Sequence, residues 1–241
     1  MFKSIAHKLI ATQSDPLQAA IRTLWDEIRI ARLVRHSRSE FAKLKGWTEL
    51  RVHLGCGPEL KNGWLNIDLN LHRNIPVAEK PSPQTLFIDY DLRLGSLPLE
   101  SGSAAYFYSS HFLEHLEYQA GVRLMRDCHR ILRSGGIFRA ALPDFGKMFR
   151  AYIERDHNHF SLVDLLEWLP DREPETVSLI DNVNLGVYQR GEHKCIYDEE
   201  KILLVLRRIG FASVEITPFK EIVDPDNEIR RRYSFYVEAV K

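Results

Sequence analysis

The chain has 241 residues, enough for one substantial core with an appendage, and its 44% hydrophobic and 27% charged content excludes a disordered polymer. Its 33 basic and 33 acidic residues cancel, so there is no overall basic field for nucleic acid or an anionic membrane, and neither partner is expected. Three cysteines without a CxxC pair exclude a disulfide scaffold or zinc ribbon and fit a cytoplasmic protein, and no apolar run approaches the length of a membrane span. Polar residues interrupt Met1–Lys8, so no signal-peptide core is expected there.

Residues 1–49 read as a mildly basic helical extension. Asp15 before Pro16 is an N-cap and first-turn pair. Leu17, Ile21, Leu24, Ile28 and Ala31 then recur with helical spacing, and Trp25 widens that face. Arg22, Arg29, Arg32, Arg35 and Arg38 form a solvated arginine face, a surface open to a protein partner or to self-association.

From residue 50 to 241 the texture becomes that of a single α/β domain. Short strands are expected at 50–54, 64–67, 85–88 and 104–109, the first three followed by a glycine or an acid. A helix follows with Leu124, Met125, Cys128, Ile131 and Leu132 on one face and Gly135-Gly136 as its stop. A fifth strand covers 137–142. Residues 145–195 break the rhythm with helical pieces at 145–155 and 162–169 and a loop around Pro170 and Pro174, the composition of a cap. A helix runs from the N-cap Asp198 to Ile209, stopped by Gly210, and strands at 214–217 and 234–239 close the chain as a hairpin. Strands alternating with helices imply a mostly parallel sheet covered on both faces.

Ligands of such sheets bind beyond the carboxyl ends of the strands. Three features fall there: the loop Gly55-Cys56-Gly57, then Asp68, then Asp91. Glycines allow close backbone approach, and an acid ending strand two can take both ribose hydroxyls. The loop lacks the third glycine of a dinucleotide fingerprint. Gly57 and Asp68 are only 11 residues apart, where that fingerprint allows about 20. A nucleoside cofactor without phosphate, such as S-adenosylmethionine, tolerates the shortened helix.

These residues resemble a class I S-adenosylmethionine-dependent methyltransferase, of the type 11 group. His53 to Pro58 and Trp64 to Asp68 are similar to its first half. Leu97 to Leu99, Ser109 to Leu116 and Arg130 to Gly136 are similar to its second, and His193 to Tyr197 to a later segment. The resemblance implies a Rossmann-like seven-stranded sheet of order 3-2-1-4-5-7-6, its last strand antiparallel, with helices on both faces. It also implies S-adenosyl-L-methionine as cofactor. Gly55, Cys56 and Gly57 would line its methionine part, Asp68 would hold the ribose, Asp91 and Leu92 would flank the adenine, and His111 would lie beside the sulfonium. Where the family often has an acid two residues before the first glycine, this chain has His53.

Methyl transfer is an in-line displacement that rewards alignment, and an oxygen acceptor must also lose a proton. His115, Glu114 and Asp144, at the ends of strands four and five, are the catalytic candidates, with His115 as base and Asp144 orienting it. The expected acceptor is a small molecule or glycan hydroxyl, with Phe160, Trp168 and Tyr188 of the cap as stacking groups. His157 and His159, like His193 and Cys195, have metal-binding spacing, yet no third and fourth ligand stands at motif spacing, so no metal is expected. Two other readings use the same residues: an NAD(P)-dependent Rossmann reductase, and a non-catalytic S-adenosylmethionine-binding partner protein.

Overall fold

The computed structural model describes residues 15–69, 85–161, 165–168, 173–226 and 228–241. Residues 1–14, where no signal-peptide core is expected, the helical start at 162–164 and Pro170 lie outside the described residues, as do the side chains of Asp15 and Pro16. Among the described residues no helix is long and apolar enough to cross a membrane.

Seven strands form one sheet: β1 (Leu50–Leu54), β2 (Leu65–Asp68), β3 (Leu86–Asp89), β4 (Ala104–Ser110), β5 (Leu132–Pro143), β6 (Ser213–Thr217) and β7 (Ser234–Val240). Their spatial order is β3-β2-β1-β4-β5-β7-β6, as expected from the resemblance. β3 to β5 pair in parallel, and β7 is antiparallel to both its neighbours. β1 and β4 lie at the centre, and Val52, Leu54 and Phe107 are fully buried there. Covering both faces of a central strand favours near-continuous apolar runs of this kind.

The N-terminal helix α1 spans Asp15–Ala42. Its predicted apolar face is not the one that docks. Leu17, Leu24 and Trp25 stay exposed, while Ile30, Phe41 and Leu44 are buried. Only the second half of α1 lies along β3, where the Ser37 hydroxyl donates to the Asp89 carbonyl.

Helix α2 (Tyr118–Ile131) buries Leu124, Met125, Cys128 and Ile131, the predicted face. It ends earlier than predicted. Leu132 is already extended and opens β5, so Gly135 and Gly136 lie inside a strand and are not a helix stop. Gly135 takes φ +72, and a Cβ on Gly136 would stand 2.9 Å from the Arg133 carbonyl. The pair lets β5 bend where its register with β4 slips between Ala104 and Tyr106.

The cap contains α3 (Phe145–Ile153), α4 (Leu165–Trp168) and α5 (Leu179–Tyr188). α5 replaces part of the expected loop. Ser178 and Asp181 close a reciprocal capping box at its start. Ala151, Phe160 and Leu179 form a small core of their own beneath these helices. Helix α6 (Glu199–Ile209) has the predicted N-cap, Asp198, and the predicted stop, Gly210. A short helix, α7 (Glu228–Tyr233), leads into β7.

No helix connects β1 to β2; residues 55–64 are loop. Asn66, His53, Tyr108, Arg139 and Glu238 are register partners from β2 across to β7 and form a polar row on one face of the sheet. The Arg139 guanidinium is fully buried. Its Nε donates to Asp224 at 2.9 Å, Nη1 to the Thr217 hydroxyl at 2.7 Å and Nη2 to the Pro218 carbonyl at 2.9 Å. The segment after β6 thus lies over this polar row.

His53 in this row is buried, its ring 5.2 Å from that of Tyr108. Burial, helped by the Lys61 charge, lowers its pKa to about 3. An unfolded histidine titrates near 6.5, so above that pH neither state carries the proton. Below it only the unfolded chain does, and stability should fall by up to ~1.4 kcal/mol per pH unit down to about pH 3. Urea midpoints of His53→Leu should lose this part of the wild-type acid dependence. Equal slopes in the two proteins would show that His53 is not its source.

Candidate active site

The cofactor end of the site is built on the loop after β1. Gly55 has φ +61, and a Cβ there would stand 2.1 Å from the Phe112 ring. No side chain fits without moving that ring. The Gly57 N–H donates to one Asp68 oxygen at 2.6 Å, and the Leu69 N–H donates to the other at 2.6 Å. Asp68 so becomes a fixed carboxylate at the carboxyl end of β2. A carboxylate offers about four acceptor positions, and these two bonds leave two for a diol.

Asp68 opens onto a slot of ≈ 160 Å³ whose other walls include Tyr90, Asp91, Leu92, Phe112 and His115. Asp91 accepts from the Arg93 backbone N–H at 2.9 Å and from its guanidinium, which also reaches Glu27 of α1 at 3.0 Å. The Asp91 and Leu92 side chains are buried and line this slot. Cys56 is buried beside Asp68, and burial first and that carboxylate second push its thiol pKa up. A thiol so held stays neutral and is not a nucleophile.

A second, larger cavity of ≈ 230 Å³ lies under the cap, beyond the ends of β4 and β5. Phe160 and Trp168 line it as expected. Tyr188 does not, and is 62% exposed. Phe145 and Tyr233 take part instead, two aromatics that sequence periodicity did not mark. Asp144 lines the cavity while capping α3 through the Lys147 N–H at 2.8 Å.

His111 also lines this cavity and not the slot. Its backbone has φ +46, and its Nε2 lies 2.7 Å from the Ser234 hydroxyl. Burial holds its pKa well below the usual histidine range. Beneath it Glu114 is fully buried, and neither carboxylate oxygen has a hydrogen-bond partner. Burial pushes the Glu114 pKa up to about 8. His115 faces the slot, with its ring edge-on to that of His193 at 4.8 Å. His193 faces the cavity. The two imidazoles thus stand at the boundary between the two spaces. The Lys194 and Cys195 N–H groups both donate to the Glu114 carbonyl, at 2.8 and 3.1 Å, which fixes His193 beside the turn that carries Glu114 and His115. His159 is buried against the cavity, whereas His157 is exposed, so that pair does not converge.

A sheet of this order, with one antiparallel strand, a glycine loop after β1 and an acid closing β2, is the arrangement that the resemblance to class I S-adenosylmethionine-dependent methyltransferases implies. Residues 52–140 match the family model described as a methyltransferase domain, of type 11, and the chain carries that domain. A search of curated proteins finds no match. Among solved structures, a SAM-dependent methyltransferase from Archaeoglobus fulgidus is 17% identical over 90% of this chain and 94% of its own, with a TM-score of 0.50. An S-adenosylmethionine-dependent methyltransferase from Mesorhizobium loti is 21% identical over 81% and 92%, with a TM-score of 0.49. The first of these likenesses, at 17% identity, speaks for the fold alone.

The residues present fit S-adenosylmethionine: a carboxylate with acceptor positions left for a diol, a slot lined by Tyr90, Leu92, Phe112 and Leu116, and a glycine loop with no phosphate-binding helix behind it. When bound, this cofactor supplies an electrophilic methyl group on a good leaving group. Asp68→Ala should weaken its binding by about 1.5–3 kcal/mol, the scale for losing hydrogen bonds to a charged group. Titration calorimetry checks this, and an unchanged affinity would move the ribose site elsewhere.

Proposed function

We propose that this methyltransferase transfers the methyl group to a hydroxyl of a small molecule or glycan bound under the cap. The observation that carries the reading is the cavity beyond β4 and β5, which abuts the cofactor slot across the His115–His193 pair. Its walls are mainly apolar and aromatic, so they suit a compact acceptor with an apolar or sugar-ring face better than an extended polymer. Residues 145–195 act as the acceptor-binding insert of a domain spanning 50–241, and 1–49 as an extension. We assign the handling of the acceptor's proton to the polar groups at the strand ends, His115, Glu114 and Asp144. The exposed Leu17, Leu24 and Trp25 offer a face for a partner or a second copy. Three free thiols, two of them buried, support a cytoplasmic setting.

A screen of hydroxyl-bearing small molecules and glycans with isotope-labelled S-adenosylmethionine tests the reading. Labelled methyl ethers formed by the wild type, and suppressed by Trp168→Ala through a raised KM, are expected. Label appearing only on nitrogen or carbon would overturn the O-methylation assignment.

A further inference from the structure

We propose that Glu114, His115 and His193 form a site for one divalent transition-metal ion at the boundary of the cofactor slot and the acceptor cavity. The three residues present one ligand atom each, all within 4.8 Å of one another. An ion with bonds of about 2.1 Å draws tetrahedral donors to roughly 3.4 Å apart, so side-chain rotation of about 1 Å closes the set. No motif spacing announces it, because His193 comes from a distant segment that the Lys194 and Cys195 hydrogen bonds pin against the Glu114 turn.

Two further observations point to a cation. Glu114 has no exposed surface, and neither of its oxygens has a hydrogen-bond partner among the described residues; His111 Nδ1 stands 3.7 Å from one of them, beyond hydrogen-bond reach. Buried carboxylates are normally paired, and an uncompensated one is costly. A metal ion is the partner that two neighbouring imidazoles could help to hold. His193 is also set up as a ligand. Its Nδ1 lies 2.7 Å from the Gly186 carbonyl, so Nδ1–H donates there and Nε2 carries the lone pair. Metal-binding histidines are commonly oriented by such a bond to the other nitrogen.

Two imidazoles and one carboxylate suit zinc, manganese, iron or cobalt better than calcium or magnesium, which prefer oxygen donors. Three protein ligands leave a coordination position open, the pattern of catalytic rather than structural sites. Because His193 faces the acceptor cavity and His115 the cofactor slot, that position falls between them. An acceptor hydroxyl oxygen is the ligand class that would complete it. This role rests on the O-methylation reading above, whereas the ligand set does not.

The test uses the full chain and cobalt(II) alone, with no acceptor. One cobalt(II) per chain should bind after dialysis, with visible d–d absorption and a paramagnetically shifted exchangeable imidazole N–H signal. Glu114→Gln and His193→Gln should each weaken cobalt(II) binding by about tenfold or more. His129→Gln, whose ring packs on Phe211 away from the cluster, should bind as wild type does. Should Glu114→Gln fail to fold, His193→Gln, at a partly exposed position, decides alone. Absence of stoichiometric cobalt(II), or equal affinity in wild type and His193→Gln, overturns the site. Calorimetry with S-adenosylmethionine on the same samples separates the two ideas. Cofactor binding without cobalt(II) defeats the metal site only, and cobalt(II) binding without cofactor defeats the methyltransferase reading only.

Discussion

Asp224→Ala should cost about 3–5 kcal/mol of stability, the range found when one partner of a buried ion pair is removed. Arg139 and Asp224 are both buried, and their side chains meet through two hydrogen bonds. Asp224 also accepts the Lys220 N–H at 2.7 Å, which holds the segment after β6 over the sheet. Without the carboxylate, the guanidinium keeps Glu238 at 3.2 Å, the Thr217 hydroxyl and one carbonyl, which is short of full compensation. Since a domain commonly has about 5–15 kcal/mol in all, the loss should be plain as a lower urea midpoint at unchanged slope. The double variant Arg139→Met, Asp224→Leu should lose less than Asp224→Ala alone, because no charge is then stranded. A double variant as unstable as the single one would show that packing, and not charge, dominates this position.

His115→Ala should lower kcat by roughly 10²–10⁴-fold, the usual yield of a group that promotes proton loss. An acceptor hydroxyl that kept its proton would leave a positive oxygen in the product. The His115 imidazole stands between the two cavities, where that oxygen must meet the methyl group. A metal ion held there would act on the same O–H bond by polarising it, and so predicts the same sign. Asp144→Asn is the informative companion. Asparagine caps a helix as well as aspartate does, so α3 should keep its Lys147 bond while the charge beside the acceptor disappears. A fall in kcat at unchanged melting temperature would give Asp144 a chemical role. Near-normal turnover in His115→Ala would leave alignment alone to carry the reaction.

The positions of β1, β2, β3 and β5 were readable because a glycine or an acid stands at the ligand-binding end of each. The seven-strand order came from resemblance, since pairing between distant strands has no local signature. Gly135-Gly136 misled because glycine marks both a helix stop and a bend between strands, and only the register slip against β4 distinguishes them. Helix α5 was missed beneath asparagines and nearby prolines, although its Ser178-to-Asp181 capping box stood in the sequence. Arg139 in an otherwise apolar strand was an unread sign of a buried ion pair. The cofactor acids were legible because one chain segment carries each. The gathering of His193 onto Glu114 and His115 was not, because it depends on two backbone hydrogen bonds made across the fold.

The place of β7, wedged between β5 and β6 although it follows both in the chain, sets an order of assembly. The groups lining the cofactor slot have all been synthesised once Leu116 is added. β6, coming later, has no neighbour to pair with until β7 appears, and the long edge of β5 stays open meanwhile. Arg139 remains hydrated over that interval, because Asp224 and Glu238 are still to come. Docking of the β6–β7 hairpin then dehydrates the guanidinium, closes the exposed edge and brings Tyr233 to the acceptor cavity in a single event. A nascent chain could in this way recognise its cofactor before it has anywhere to put an acceptor.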